Sequence, residues 1–235
     1  MQKRILISEL LAEFIGSMFL VMAAISPIIL FTLVLESHIS VAIVANAIAV
    51  AFVLCALIEM FGPVSGAHFN PVVTVVMWIH KNITAGKAAL FLSVQVVGGI
   101  LGTVFSHLMF YEEMGGLLFV SDQVRNGHIY FGEVVGTFIL VLAILVLVKI
   151  KSTKIPIMIG LLVGGQLLST SSTMFANPQV TIARIFTSSV SGIRPFDAMI
   201  FIVMQFIGGL LAYGVYKLVF SKYTTEFGGK QNGKN

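Results

Sequence analysis

The chain carries one short pattern twice. Asn-Pro-x-Val-Thr occurs at Asn70, within SGAHFNPVVTVV, and again at Asn177, within TMFANPQVTIAR. Asparagine is a favoured residue immediately before the first turn of a helix, and proline suits that first turn because its missing N–H is not needed there. Each motif, with Pro71 or Pro178 after the asparagine, therefore predicts the start of a short helix inside a very apolar sequence.

The rest of the chain predicts an integral membrane protein. Of its 235 residues 57% are hydrophobic and only 10% are charged, which excludes a soluble globular domain. A spanning helix needs about 20 apolar residues, and long apolar runs favour helices over the short alternating strands of a barrel. We therefore predict an all-α fold of six full spans and two half spans. The full spans are placed near 8–34, 41–60, 87–110, 129–148, 156–171 and 198–219.

The two halves of the chain also match outside the Asn-Pro motifs. AEFIGSMFLV at 12–21 matches GEVVGTFILV at 132–141, and QVVGGILG at 95–102 matches QFIGGLLA at 205–212. Each half contains three spans, an odd number, so the second half enters the membrane from the opposite side and the repeats are inverted. The predicted units are a first repeat at 1–115, a second repeat at 116–221 and a disordered cytoplasmic tail at 222–235.

The basic residues predict the orientation of the chain. Of the 14 lysines and arginines, only Arg125, Arg184 and Arg194 fall on one side of the six-span arrangement. Cytoplasmic loops carry an excess of such residues, so we expect both termini in the cytoplasm. This bias accounts for the basic character of the chain without a nucleic-acid partner.

These motifs and their arrangement resemble the aquaporin and aquaglyceroporin family, the major intrinsic proteins, over nearly the whole chain. The second motif, NPQVTIAR, is an atypical version of the family's NPA motif. The resemblance implies that the amides of Asn70 and Asn177 donate hydrogen bonds to a permeating molecule at the pore centre. It also implies a homotetramer in the cell membrane, with one passive pore in each subunit that excludes protons and ions.

The predicted selectivity filter departs from the family pattern. The family usually has an arginine three residues after the second asparagine, where this chain has Val180, and Arg184 lies one turn further on. Because side chains on a helix lean toward its amino end, Arg184 can reach back and substitute. The alternative is an arginine that extends to the outer membrane surface.

The resemblance assigns the three other filter positions to Val50, Gly165 and Met174. None of them is histidine or an aromatic residue, so we expect a wide, partly apolar opening. This expectation favours glycerol-like polyols, urea or neutral metalloid hydroxides, alongside water, as the solutes.

Polar residues inside the spans form equivalent pairs. Glu13 and Glu133 occupy matching positions, where an unpaired charge costs at least about 2.5–3.5 kcal/mol. They are either acceptors for the backbone of the re-entrant loops, which the resemblance favours, or proton relays. Gln95 and Gln205 are predicted to hydrogen-bond across helices. We expect His68, two residues before Asn70, to be a structural histidine, with a pH-sensitive gate as the alternative.

Other functions have little support in the sequence. The histidines lack metal-ligand spacing and Cys55 is the single cysteine, so we predict no metal, no cofactor and no intrachain disulfide. There is no phosphate-binding loop or catalytic triad pattern, so we predict no enzyme. The alternatives that stay open are a proton-coupled secondary transporter and a membrane junction or scaffold protein with a residual pore.

Overall fold

A computed structural model of the chain describes residues 2–220, and the predicted tail at 222–235 lies outside that range. The described part is helical and contains no strand. The helices are α1 (Gln2–Ile29), α2 (Ile39–Ser65), α3 (Pro71–Ile79), α4 (Ala85–Met109), α5 (Tyr111–Met114), α6 (Ile129–Lys149), α7 (Ile155–Ser169), α8 (Pro178–Arg184) and α9 (Pro195–Val215). Short π-helical turns extend α1 over Leu30–Val34 and α9 over Tyr216–Phe220.

Five of these helices are long and apolar enough to cross a membrane: α1, α2, α4, α6 and α9. The sixth predicted span is α7, an apolar helix of 15 residues. At 1.5 Å per residue it extends about 22 Å, which is shorter than a typical bilayer core. The protein is therefore a multi-pass membrane protein with one unusually short helix beside the second Asn-Pro motif.

The second helix runs further than its predicted end near residue 60. Pro63 lies inside α2, and the helix continues to Ser65. It ends at Gly66, whose φ of 92° is a left-handed conformation that glycine adopts without steric cost. The extension brings the end of α2 directly to the loop before Asn70.

The inverted repeat is visible in how the helices pack. The most extensive contacts join α1 to α4 and α6 to α9, which are equivalent pairs in the two halves. A Cβ atom added at Gly98 would lie 2.4 Å from the carbonyl oxygen of Phe14, and one added at Gly208 would lie 2.5 Å from that of Val134. The matching glycines thus allow the same close helix crossing in both repeats.

A methyl group at Gly98 should destabilise the protein. Because the contact is with the Phe14 backbone, α1 and α4 must separate, and we expect Gly98→Ala to cost about 1–3 kcal/mol. Thermal unfolding of the purified protein in detergent measures this. Gly86 lies in the same helix with nothing within 4 Å of an added Cβ, so Gly86→Ala is the matched control and should not lower the unfolding temperature. Equal destabilisation by the two variants would contradict the close-crossing interpretation.

Candidate functional site

The two Asn-Pro motifs form the starts of two half helices that meet. The side-chain oxygen of Asn70 accepts the Val72 N–H at 2.9 Å, and that of Asn177 accepts the Gln179 N–H at 3.1 Å. Pro71 and Pro178 occupy the first turns of α3 and α8, which have nine and seven residues. Both half helices therefore begin as the local sequence predicts, with an asparagine cap followed by proline.

The two asparagines lie side by side and bind each other's loops. The Nδ2 atom of Asn70 donates to the Ala176 carbonyl at 2.8 Å, and that of Asn177 donates to the Phe69 carbonyl at 2.8 Å. Both side chains are largely buried. This reciprocal pair brings residues from opposite halves of the chain together, as the inverted repeat predicts.

Glu13 on α1 holds the loop before Asn70. Its carboxylate accepts the N–H groups of His68 at 2.9 Å and Phe69 at 2.8 Å, the Ser65 hydroxyl at 2.6 Å and the Gln95 amide at 2.8 Å. The carboxylate is fully buried. Phe69 has a φ of 46°, a strained value for a residue with a side chain, so these bonds maintain an otherwise unfavourable backbone.

Glu133 on α6 does the same in the second half. It accepts the N–H groups of Phe175 at 2.9 Å and Ala176 at 2.8 Å, together with the Gln205 amide. The Gln205 amide also donates to the Thr181 hydroxyl at 2.8 Å. Ala176 has a φ of 46°, matching Phe69, so each buried carboxylate stabilises an equivalent strained turn next to an asparagine.

The ring of His68 is held in place by its surroundings. The Thr74 hydroxyl accepts from the Gln95 amide at 2.9 Å and lies 3.1 Å from His68 Nδ1. The edge of the ring also packs against Phe91, with 5.5 Å between centroids. These contacts agree with the structural interpretation of His68, and nothing in them tests a gate.

A cavity of about 590 Å³ passes the asparagine pair. Its lining includes Asn70 and Asn177 at the junction of the half helices, and side chains on α2 from Val50 to Pro63. That stretch of α2 corresponds to about 20 Å along the helix axis, so the cavity is elongated in the direction of the spans. Most of the lining is aliphatic, and the polar groups are concentrated near the asparagines and the two ends.

Four of the five predicted filter residues line this cavity: Val50, Met174, Val180 and Arg184. The assignment of Gly165 is wrong. Gly165 is on the exposed face of α7, and nothing lies within 4 Å of a Cβ added to it. Val163 and Leu167 line the cavity instead, because residues four apart share a helix face whereas the residue between them points away. The opening is therefore more apolar and narrower than a glycine would make it.

Arg184 lies against the cavity and does not extend to the membrane surface. It is 3% exposed, and its Nη2 donates to the Ala24 carbonyl on α1 at 2.7 Å. The guanidinium carbon lies 4.1 Å from the centre of the Phe175 ring, within the range of a cation–π interaction. Its Nε is buried and has no hydrogen-bond partner within residues 2–220.

Sequence reasoning did not identify three residues that contribute to the site. Gln179 is buried, and its amide donates to the same Phe69 carbonyl as Asn177, at 3.3 Å. Asn46, buried within α2, donates to carbonyls of α1. Gln179 and Asn46 could have been identified from the sequence, because each is an amide side chain in an otherwise apolar stretch. Leu167 had no comparable signal among the many leucines.

Among residues 2–220, no group of three His, Cys, Asp or Glu side chains is placed to hold a metal ion.

The fold and cavity define a class of membrane protein in which two opposed half helices meet inside a bundle of apolar spans. A model of the major intrinsic protein family matches residues 1–174. The chain is 36% identical over 218 residues to the aquaglyceroporin AqpS of Rhizobium meliloti (strain 1021), an alignment that covers 92% of each protein. The chain belongs to the major intrinsic protein family.

Two further similarities are more distant. The chain is 30% identical over 175 residues to human aquaporin-4, covering 71% of this chain and 53% of that protein. The crystal structure of the aquaglyceroporin from Plasmodium falciparum superposes with a TM-score of 0.70 at 18% identity, covering 92% and 97% of the two chains. The second comparison establishes a common fold. The family match ends just before the second Asn-Pro motif, where this sequence is atypical.

Proposed function

We propose that the cavity is the pore of a passive channel for water and small neutral solutes, which excludes protons and ions. The observation that carries this proposal is the meeting of two helix amino termini, capped by Asn70 and Asn177, at one cavity. The family membership supports the same conclusion. Solutes then move down their gradient, and no reaction is catalysed.

The asparagine pair can donate hydrogen bonds to a neutral solute, while the positive ends of the two half helices repel cations. Each side-chain amide has two hydrogens, and one of them is used by the carbonyl of the opposite loop. The second hydrogen is available to a permeating water or hydroxyl group. The amino terminus of a helix also carries roughly half a positive charge, so the two half helices together repel protons and metal cations at the pore centre.

The lining favours neutral solutes larger than water. Val50, Leu167, Met174 and Val180 present aliphatic surface, and Arg184 adds a polar side chain to the same cavity wall. Such a pore suits a molecule with an apolar carbon face and a hydroxyl face, such as glycerol or a related polyol. Urea and neutral metalloid hydroxides have comparable size and hydrogen-bonding capacity. The 36% identity to the aquaglyceroporin AqpS of Rhizobium meliloti agrees with this choice.

Orientation and assembly complete the proposal. The basic residues support a cell-membrane protein with both termini in the cytoplasm. The resemblance to the family supports a homotetramer with a pore in each subunit, and the repeats at 1–115 and 116–221 are its two structural halves. Its partners are then water, small neutral solutes and lipid, and no nucleic acid or cofactor is required.

The buried carboxylates argue against a proton-coupled transporter. A relay needs a carboxylate that can take up and release a proton. Glu13 accepts four hydrogen bonds and Glu133 accepts three, so the oxygen atoms of both carboxylates are already used by the loops and the neighbouring side chains. Both side chains are also fully buried. Each is thus committed to holding a loop, which supports the channel over the transporter.

Stopped-flow light scattering on proteoliposomes tests the proposal. We expect rapid water and glycerol flux with a low activation energy and no dependence on an imposed proton gradient. Leu167→Trp should lower both fluxes at least about tenfold, because an indole occupies much of the cavity at that level. Leu168→Trp is the matched control, since Leu168 is 55% exposed on the outside of the same helix and should leave flux unchanged. Saturable, proton-driven uptake would contradict a channel, and no flux at all would favour a scaffold.

A further inference from the structure

The guanidinium of Arg184 is held by groups outside its own helix. Arg184 ends α8, yet its Nη2 donates to the Ala24 carbonyl, which belongs to α1. Within residues 2–220 the ion pairs are Lys87–Glu9 and Arg194–Asp197, so no carboxylate in this part of the chain pairs with Arg184. Its position therefore depends on a neutral carbonyl on one side and the Phe175 ring on the other.

Pro27 interrupts α1 directly beside that carbonyl. Proline has no N–H, so the carbonyl four residues earlier, on Ala23, loses its helical donor, and the proline ring crowds it. In a bilayer such a carbonyl must find a donor on a neighbouring helix. Asn46 on α2 provides it, because its Nδ2 donates to the Ala23 carbonyl at 3.0 Å and to the Ala24 carbonyl at 3.1 Å.

We propose that Pro27 and Asn46 are positioning residues that keep Arg184 at the pore. Pro27 frees the Ala23 carbonyl for a donor from another helix, and Asn46, which donates to both Ala23 and Ala24, fixes the orientation of the Ala24 carbonyl. That carbonyl accepts the Nη2 N–H of Arg184, whose side chain is 3% exposed. This inference rests on the proposed role of Arg184 as the filter arginine.

The same residues explain why Arg184 does not extend to the surface. An arginine side chain loses hydration when it is buried, and bonds with good geometry must compensate for that loss. Here one short charge-assisted bond to Ala24 and one stacking contact with Phe175 do so. With an N–H at position 27, the Ala23 carbonyl would be bonded within α1, and Asn46 would lose one of the two bonds that hold it beside the Ala24 carbonyl.

The test is a double-mutant cycle that follows selectivity, measured as the ratio of erythritol to water permeability in proteoliposomes. Pro27→Ala should raise this ratio roughly five- to tenfold when Arg184 is present, the equivalent of one ordinary hydrogen bond. The same change should have no further effect in an Arg184→Ala background, because the residue it positions is gone. A general packing defect would alter the ratio equally in both backgrounds.

Two other variants complete the design. Asn46→Leu removes both donors at nearly constant volume, leaves the α1 sequence unaltered, and should shift the ratio in the same direction. Ile48→Ala is the control, since Ile48 lies close to Asn46 in sequence but on the exposed face of α2, is 49% exposed and does not line the cavity, and it should leave the ratio unchanged. If Pro27→Ala does not accumulate as folded protein, the Asn46→Leu cycle decides the question by itself.

The outcomes separate the two proposals. An Arg184→Ala protein with an unchanged ratio would overturn the filter role of Arg184, and the positioning role with it. A changed ratio in Arg184→Ala, without a change in Pro27→Ala or Asn46→Leu, would overturn the positioning role alone. If Pro27→Ala or Asn46→Leu shifts the permeability ratio equally with and without Arg184, the positioning role is also overturned.

Discussion

Replacing Arg184 by alanine should widen the range of solutes that the pore conducts. The Arg184 side chain lines the cavity one turn along α8 from Val180 and supplies a fixed positive charge there. Removing both should raise erythritol permeability relative to water about tenfold, in line with the loss of a group worth one charged hydrogen bond. It should also let small cations leak where the wild-type protein holds a sodium gradient. Stopped-flow light scattering and a sodium-sensitive dye measure these two effects.

The control for this experiment is Arg194, an arginine that does not line the cavity. Arg194 pairs with Asp197 at 2.7 Å and does not line the cavity, so Arg194→Ala should keep the wild-type selectivity even if it lowers stability. Arg184→Lys separates charge from shape, because lysine keeps the charge without the planar group that stacks on Phe175. Wild-type selectivity in Arg184→Ala would show that the side chain has no part in the filter.

Replacing Glu13 by glutamine should remove most of the folded protein while sparing the pore of what remains. The carboxylate accepts four hydrogen bonds in a fully buried site, and an amide must turn its NH₂ toward donors that then lose their acceptor. Each buried donor that is left without an acceptor costs about 1–3 kcal/mol. We expect a large fall in the yield of monodisperse protein and a clearly lower unfolding temperature in detergent.

Permeability per folded molecule is the decisive second measurement. It should fall much less than the yield, because Glu13 does not line the cavity and acts through the loop before Asn70. Glu59→Gln is the matched control, since Glu59 is an exposed carboxylate on α2 and should retain normal yield and stability. A Glu13→Gln protein with normal yield but without proton-driven uptake would instead support a coupled transporter.

The parts of the site that could be predicted from sequence are those with a local physical cause. Asn70 and Asn177 cap helices through bonds to residues two positions later, so the short motif is sufficient to predict them. Glu13 and Glu133 were identifiable because a carboxylate in an apolar span requires donors, and its repetition at an equivalent position indicated a shared role. Their hydrogen bonds to the two loops are those expected of acceptors.

The incorrect filter position has a different origin. Gly165 was assigned by counting from the second motif across a loop whose path the sequence does not specify. An error of two residues on a helix rotates a side chain to the opposite face. Nothing in the run of small and aliphatic residues around Gly165 marks which face is inward, so only the packing of α7 against α2 could select Val163 and Leu167.

The amino-acid sequence alone determined the membrane class, the six spans, the inverted repeat and the two capped half helices, because hydrophobicity, helix capping and the cost of buried charge act over short distances. The tertiary structure decided which residues form the pore wall and where Arg184 lies. That arginine is 160 positions away along the chain from the α1 carbonyl that holds it. Such a contact depends on how α8 and α1 are placed by the packing of the whole bundle, and no local pattern encodes that placement.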